Sequence, residues 1–194
     1  MAFYTEGHRA LQAEFGSTPL ADRLEERILR TAFTDSDRAF IEGASFFFLA
    51  TADADGHPDC SYKGGAPGFV RVTGPSELTF PDYDGNGMFR SMGNLSANPH
   101  VGMLFINLGA QPRRLRVNGR ASLSLDDPRI AWSPGAQGLI TVTAHQIFPN
   151  CPRYIHDLAT GTPSQYVPEA DKPPVEPGWK NADDFKDVVP PRKA

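Results

Sequence analysis

The stretch PDYDGNGMFRSMGN, Pro81 to Asn94, decides how this sequence is to be read. Its glycines let the backbone approach a ligand, and the helix expected to follow offers unpaired N–H groups at its start. Arg90 and Ser91 add a charge and a hydroxyl. Such a set suits a phosphate; the plainer alternative is a strand-to-helix connection whose arginine is solvated. The run matches neither GxGxxG nor GxxxxGK[ST], so neither a dinucleotide fold of the Rossmann kind nor a P-loop is indicated.

On either side of this run the pattern is that of short strands. SFFFLATA (45–52) reads as a buried strand, Asp55-Gly56 as a hairpin turn, and 59–63 as the returning strand. ELTFP (77–81) reads as another strand, and MFRSMGNLSA (88–97) as a short helix stopped by Asn98-Pro99. HVGMLFINL (100–108), RRLRVNGRASLSL (113–125) and LITVTAHQIF (139–148) complete about six or seven strands, with a short helix near 127–132. Before the strands, EGHRALQAEF, a helix start at Ser17-Thr18-Pro19 and another at Thr34-Asp35 predict a helical N-terminus. The expected organisation is a helical segment packing on a barrel (1–44), a barrel domain (45–160) and a C-terminal arm (161–194). That arm holds seven prolines and either wraps a surface or is mobile.

The bulk composition agrees with turn-rich β structure. The chain has 194 residues, 40% of them hydrophobic, with 18 Gly and 18 Pro. Its net charge of −4 gives no field to hold a polyanion, so nucleic acid is not an expected partner. No basic-then-apolar leader and no run of the roughly 20 apolar residues a span requires is present, and a soluble, cytoplasmic protein with no membrane partner is expected. Cys60 and Cys151 fall in no ligand spacing, so no metal is expected.

Three further segments carry chemistry. In DCSYKGG (59–65), alternation sends Asp59, Ser61 and Lys63 to one face and Cys60 and Tyr62 to the other. Lys63 is then either a second cation for the same phosphate or a strand-end lysine in water. In RRLRVNGRA (113–121), Arg114 and Arg116 share a face. Several arginines on one strand repel unless anions lie among them, whether a ligand or carboxylates across a subunit boundary. IFPNCPRYIHDL (147–158) gathers reactive side chains, but Cys151 with His145 or His156 shows no nucleophile elbow or triad order.

With those residues in view, the sequence resembles the pyridoxamine-5′-phosphate-oxidase-like FMN-binding split-barrel family. The match is carried by DGNGMFRSMGNLSANPHVGMLFIN (84–107), RRLRVNGRA and PNCPRYI. The resemblance implies a mostly β fold with flanking helices, a split β-barrel that dimerises with FMN held between subunits. It implies a phosphate site at Lys63, Arg90 and Ser91, with Asn86 and Asn94 at the family's asparagines. Cys60, Ser61 and Tyr62 are then placed along the isoalloxazine ring, and Arg114 and Arg116 near its polar edge. It also implies an FMN-dependent oxidoreductase acting on an unidentified small molecule or reduced nicotinamide; that chemistry requires no acid–base residue, and Tyr62, Cys151 and Tyr154 are the candidates if one is used. PDCSYK replaces the RxVLLK of the true pyridoxamine oxidases, and Phe89-Arg90-Ser91 their Ser-Arg-Lys, so pyridoxamine phosphate is not implied as substrate. Alternatives are a non-catalytic flavin carrier or sensor, a deazaflavin protein, or a haem protein ligated through His145 or His156.

Overall fold

The computed structural model describes residues 2–109, 111–161, 165 and 175–190. Two compact units are present: residues 30–107 with 113–150, and residues 1–29 with 108–112 and 151–194.

The larger unit is a seven-stranded antiparallel sheet with flanking helices. Its strands are β1 (Phe46–Ala52), β2 (Pro58–Gly64), β3 (Arg71–Val72), β4 (Glu77–Tyr83), β5 (His100–Asn107), β6 (Arg113–Ser124) and β7 (Ala136–Asn150). They lie in the order β2-β1-β5-β6-β7-β4-β3. Helices α3 (Asp35–Glu42) and α4 (Arg90–Ala97) belong to this unit. α1 (Glu6–Glu14) and α2 (Thr18–Ile28) belong to the other, where Arg27 reaches Asp184 at 3.5 Å. Much of the proline-rich arm lies outside the described residues; within it, Gly178–Asn181 forms a 3₁₀ turn.

Alternation along the strands makes the core. Phe47, Leu49 and Thr51 on β1, Val101, Met103 and Phe105 on β5, and Leu115 and Val117 on β6 are buried on one face. Phe47 stands at the centre, with ring centroids 5.0 Å from Phe80, 5.1 Å from Phe105 and 5.9 Å from Phe69. Burying one such ring contributes about 1.5–3 kcal/mol. The opposite face of the same strands carries Phe46, Phe48, Leu104 and Ile106, all only half-buried.

Asp37 holds the entry to the sheet. It closes a capping box with Thr34 at the start of α3, and both its oxygens accept from Arg30 Nη2 at 2.9 Å. Arg113, stacked over Phe40 at 4.4 Å, lies 3.7 Å from the same carboxylate, which is 2% exposed. Arg113 is thus paired within the chain, by an aspartate.

Several boundaries differ from the sequence reading. β4 runs two residues past Pro81, because Asp82 and Tyr83 pair with Gly138 and Ala136 across a register shift. β7 is longer than its apolar stretch at both ends, since pairing to β4 and β6 extends it over Ala136–Asn150. β3 is two residues long and has no sequence signature. α4 starts at Arg90 rather than Met88: Phe89 takes the left-handed region at φ 48 and ends the preceding loop.

A bulge between Asn118 and Gly119 leaves His145 as the extra residue of β7. Gly119 is required there: a Cβ would meet Thr143 O at 2.4 Å.

Candidate functional site

β2 is an edge strand, and its exposure alternates as read, with Asp59, Ser61 and Lys63 half-buried and Cys60 and Tyr62 exposed. The first three face a cavity of about 230 Å³. Its other walls are Asp82 and Tyr83 at the end of β4, the loop 85–89, the first turn of α4, and Gln137 of β7. Asn86 Oδ1 accepts from Met88 N at 3.0 Å, and Gly87 takes φ 72, so the loop turns sharply and delivers the chain to Phe89. No side chain caps the start of α4, leaving its first N–H groups without a capping acceptor.

The charges in this cavity come from three elements, β2, β4 and α4, brought together. Arg90 Nε donates to Asp59 Oδ1 at 3.1 Å. Lys63 lies on the same face of β2 as Asp59, and Ser91 is buried at 5% exposure. Gln137 Nε2 donates to Asp82 Oδ2 at 3.0 Å.

A second, more apolar trough of about 370 Å³ lies on the half-buried face of the sheet. Cross-strand register builds it: Cys60 opposes Ala50, Ala50 opposes Gly102, and Gly102 opposes Asn118. The next row runs Tyr62, Phe48, Leu104, Arg116. Cys60 lines both cavities, so they meet at that residue.

Of the residues singled out from sequence, the structure brings Cys60, Ser61, Lys63, Asn86, Arg90 and Ser91 to one cavity. Arg116 lies in the trough. Tyr62, Asn94 and Arg114 line neither. Tyr62 stacks on Phe46 with centroids 5.3 Å apart, Asn94 Nδ2 donates to Thr51 Oγ1 at 3.0 Å, and Arg114 stands between Ile106 and Asn150 in the ladder. Cys151 and Tyr154 belong to the other unit, where Trp179 Nε1 lies 3.3 Å from Cys151 Sγ. Asp59, Asp82, Gln137, Asn118 and Gly102 are wall residues that sequence did not single out. Asp59 was legible from its alternation with Lys63; Gln137 was not, because β4–β7 pairing alone brings it across 54 or more residues.

Two other groups of polar side chains stand apart. Asp53, Asp55 and His57, in the β1–β2 turn, have ligand atoms within 4.8 Å of one another. Hydrogen bonds from the His57 backbone and ring hold the Asp53 carboxyl below its usual range. At the bulge, burial, with the charges of His100 and Arg120, pushes the His145 imidazole below its ordinary value. Among the described residues no helix is long and apolar enough to cross a membrane.

Known proteins bear on this arrangement chiefly through fold. HupZ of Group A Streptococcus is 15% identical, with a TM-score of 0.50 over 60% of this chain and 98% of its own. An FMN-binding protein of Syntrophomonas wolfei is 13% identical, with a TM-score of 0.45 over 75% of this chain and 96% of its own. HutZ, the heme storage protein of Vibrio cholerae, is 20% identical, with a TM-score of 0.41 over 60% of this chain and 89% of its own. No sequence among the curated proteins matches. The family model for pyridoxamine 5′-phosphate oxidase matches residues 33–143, more than half of the chain and the whole of both cavity walls from β1 to the middle of β7. By that match, the chain belongs to the pyridoxamine 5′-phosphate oxidase family.

Proposed function

We propose that this protein is an FMN-binding flavoprotein built on a split β-barrel, acting as an FMN-dependent oxidoreductase on a small molecule, and working as a homodimer. The observation that carries the reading is the convergence of Lys63, Arg90, Ser91 and the uncapped first turn of α4 on one cavity. Two cations, a hydroxyl and free backbone N–H groups are what a phosphate monoester requires. The adjoining trough supplies the rest of the fit: an apolar floor of Phe48, Ala50 and Leu104 for a flat ring, with Arg116 and Asn118 for its polar edge.

FMN, when bound, supplies acceptance and release of a hydride or of single electrons. The chain's own work is binding and orientation. Arg90 and Lys63 anchor the phosphate, and the strand rows of the trough fix the plane in which a ring can lie. Tyr62 and Phe46, stacked outside the trough, extend an apolar face that runs on through Phe48, Leu104 and Ile106. Tyr62 is 61% exposed in the single chain. A two-fold copy of the same face would cover it and would exclude water from the ring.

Visible absorbance before and after FMN addition tests the reading directly. Flavin bands retained through gel filtration, and lost in Arg90→Ala, are the expected result. A colourless protein that ignores FMN, or a monomer by light scattering at micromolar concentration, overturns it. Turnover of a reduced nicotinamide by the loaded protein separates an enzyme from a carrier. One observation favours a haem reading: burial disfavours the charged form of His145, and neutral imidazole is the form that ligates iron. A haem spectrum lost in His145→Ala, in place of flavin bands, would select it.

A further inference from the structure

The cavity at β2 is charge-balanced before any ligand enters. Its cations are Lys63 and Arg90, and its carboxylates are Asp59 and Asp82. Asp59 is not a bystander. It lies 31 residues from Arg90, on a different element, and still takes the guanidinium Nε at 3.1 Å. The Asp59 side chain is 19% exposed, against 61% for Arg90, so the carboxylate is fixed by the strand and the arginine is brought to it. Alternation also sets Asp59 in the same row as Ser61 and Lys63, among the donors rather than outside them.

That balance bears on which phosphate fits. The uncapped start of α4 adds a partial charge of about +0.5. A doubly charged phosphate would therefore leave the cavity strongly negative, with Asp59 competing for the arginine it needs. A singly charged phosphate leaves the cavity close to neutral. We propose that Asp59 is the residue that sets ligand charge here, so that the pocket takes a singly charged phosphate, a once-protonated monoester or a diester, in preference to a doubly charged monoester. The inference rests on the flavin reading above and adds to it the charge state that the site selects.

The groups facing Asp59 and Arg90 make the consequence measurable. They are Cys60 and Lys63 from β2, Asp82 and Tyr83 from β4, and the neutral Gln137 from β7. No histidine is among them. Between about pH 5.5 and 7.5 the titration that matters is the ligand's own second phosphate ionisation, near pH 6 for a monoester.

The experiment is a fluorescence titration of the full chain with FMN at both pH values, with riboflavin as the uncharged control and the methyl ester of FMN as a diester. FMN is expected to bind about three- to fivefold more weakly at the higher pH, the size of one partly exposed ion pair. The methyl ester should hold its affinity across the range, which distinguishes a diester from a protonated monoester. Asp59→Asn should tighten FMN at the higher pH by a similar factor and remove or reverse the trend. FMN binding that strengthens with pH in the unaltered protein overturns the inference and leaves the flavin reading standing. So does an Asp59→Asn variant with the original affinity and trend. If FMN binds no better than riboflavin at either pH, the phosphate site itself is wrong and both fall. The pH comparison on the unaltered protein needs no variant to fold.

Discussion

Asn94 Nδ2 donates to Thr51 Oγ1 at 3.0 Å, tying the middle of α4 to the buried face of β1. The bond does not touch the cavity, yet it fixes the helix whose first turn carries Arg90 and Ser91. Thr51→Val keeps the shape and leaves the Asn94 amide unpaired, which should cost about 1–3 kcal/mol. Urea unfolding would give the loss. Combining it with Asn94→Leu should recover part of it, as replacing both partners by apolar groups does.

Asp37→Ala should be among the most destabilising single changes in the larger unit. It removes the half of the α3 capping box in which Asp37 accepts from Thr34 N, and it leaves Arg30 and Arg113 facing each other without their shared anion. Both arginines reach solvent, so the expected cost is about 2–4 kcal/mol rather than the full penalty of a stranded buried charge. A fall in melting temperature of several degrees, with flavin affinity following only through stability, is the check.

Gly119→Ala should fail for a steric reason alone. A Cβ at that position would lie 2.4 Å from Thr143 O and 2.9 Å from Val142 Cγ1, both on a paired strand that cannot retreat without breaking its ladder. Overpacking of this kind costs about 1–3 kcal/mol. Low yield of folded protein, or an early thermal transition, is the expected result.

Phe89→Asn should stabilise. Phe89 has φ 48 and is 58% exposed, so little packing is lost, and Asn tolerates the left-handed region better. A gain of about 0.5–1 kcal/mol in urea unfolding is expected. Strain beside a binding loop is often part of its geometry, so FMN affinity should be read in the same variant.

His145 predicts a pH slope. Its folded-state value lies below the ordinary 6.5, chiefly through burial and then through His100 and Arg120. Between the two values the unfolded chain binds more protons than the folded one, so stability rises with pH through that window and is level above it. His145→Gln should flatten the slope below about pH 6.5, measured as unfolding midpoints at pH 5 and 7.

Much of this was legible in the sequence because strand period and loop chemistry were both strong. The alternation of DCSYKGG placed Lys63 and Cys60 on opposite faces, and the structure shows the same alternation. The three N-terminal helices followed from the amphipathic run EGHRALQAEF, from Ser17-Thr18-Pro19 and from Thr34-Asp35, though the Thr5 cap of the first was not read. What escaped was everything set by pairing at a distance. Gln137 and Asp82 reach the cavity through the β4–β7 ladder, and β3 exists only as a partner for Arg71↔Thr79 and Val72↔Leu78. Asn94 and Arg114 sit in the right segments, but a helix turn and a strand pleat direct them elsewhere than the cavity. No local pattern encodes that direction.

The meeting of the two cavities at Cys60 turns that thiol into a reporter. The side chain is exposed and belongs to the walls of both spaces. A fluorine-bearing label attached there would sense occupation of either cavity through a single resonance, and the second thiol, Cys151, beside Trp179 in the other unit, would serve as the reference signal. Occupancy of the site could then be followed at one position, read against the other and without a chromophore.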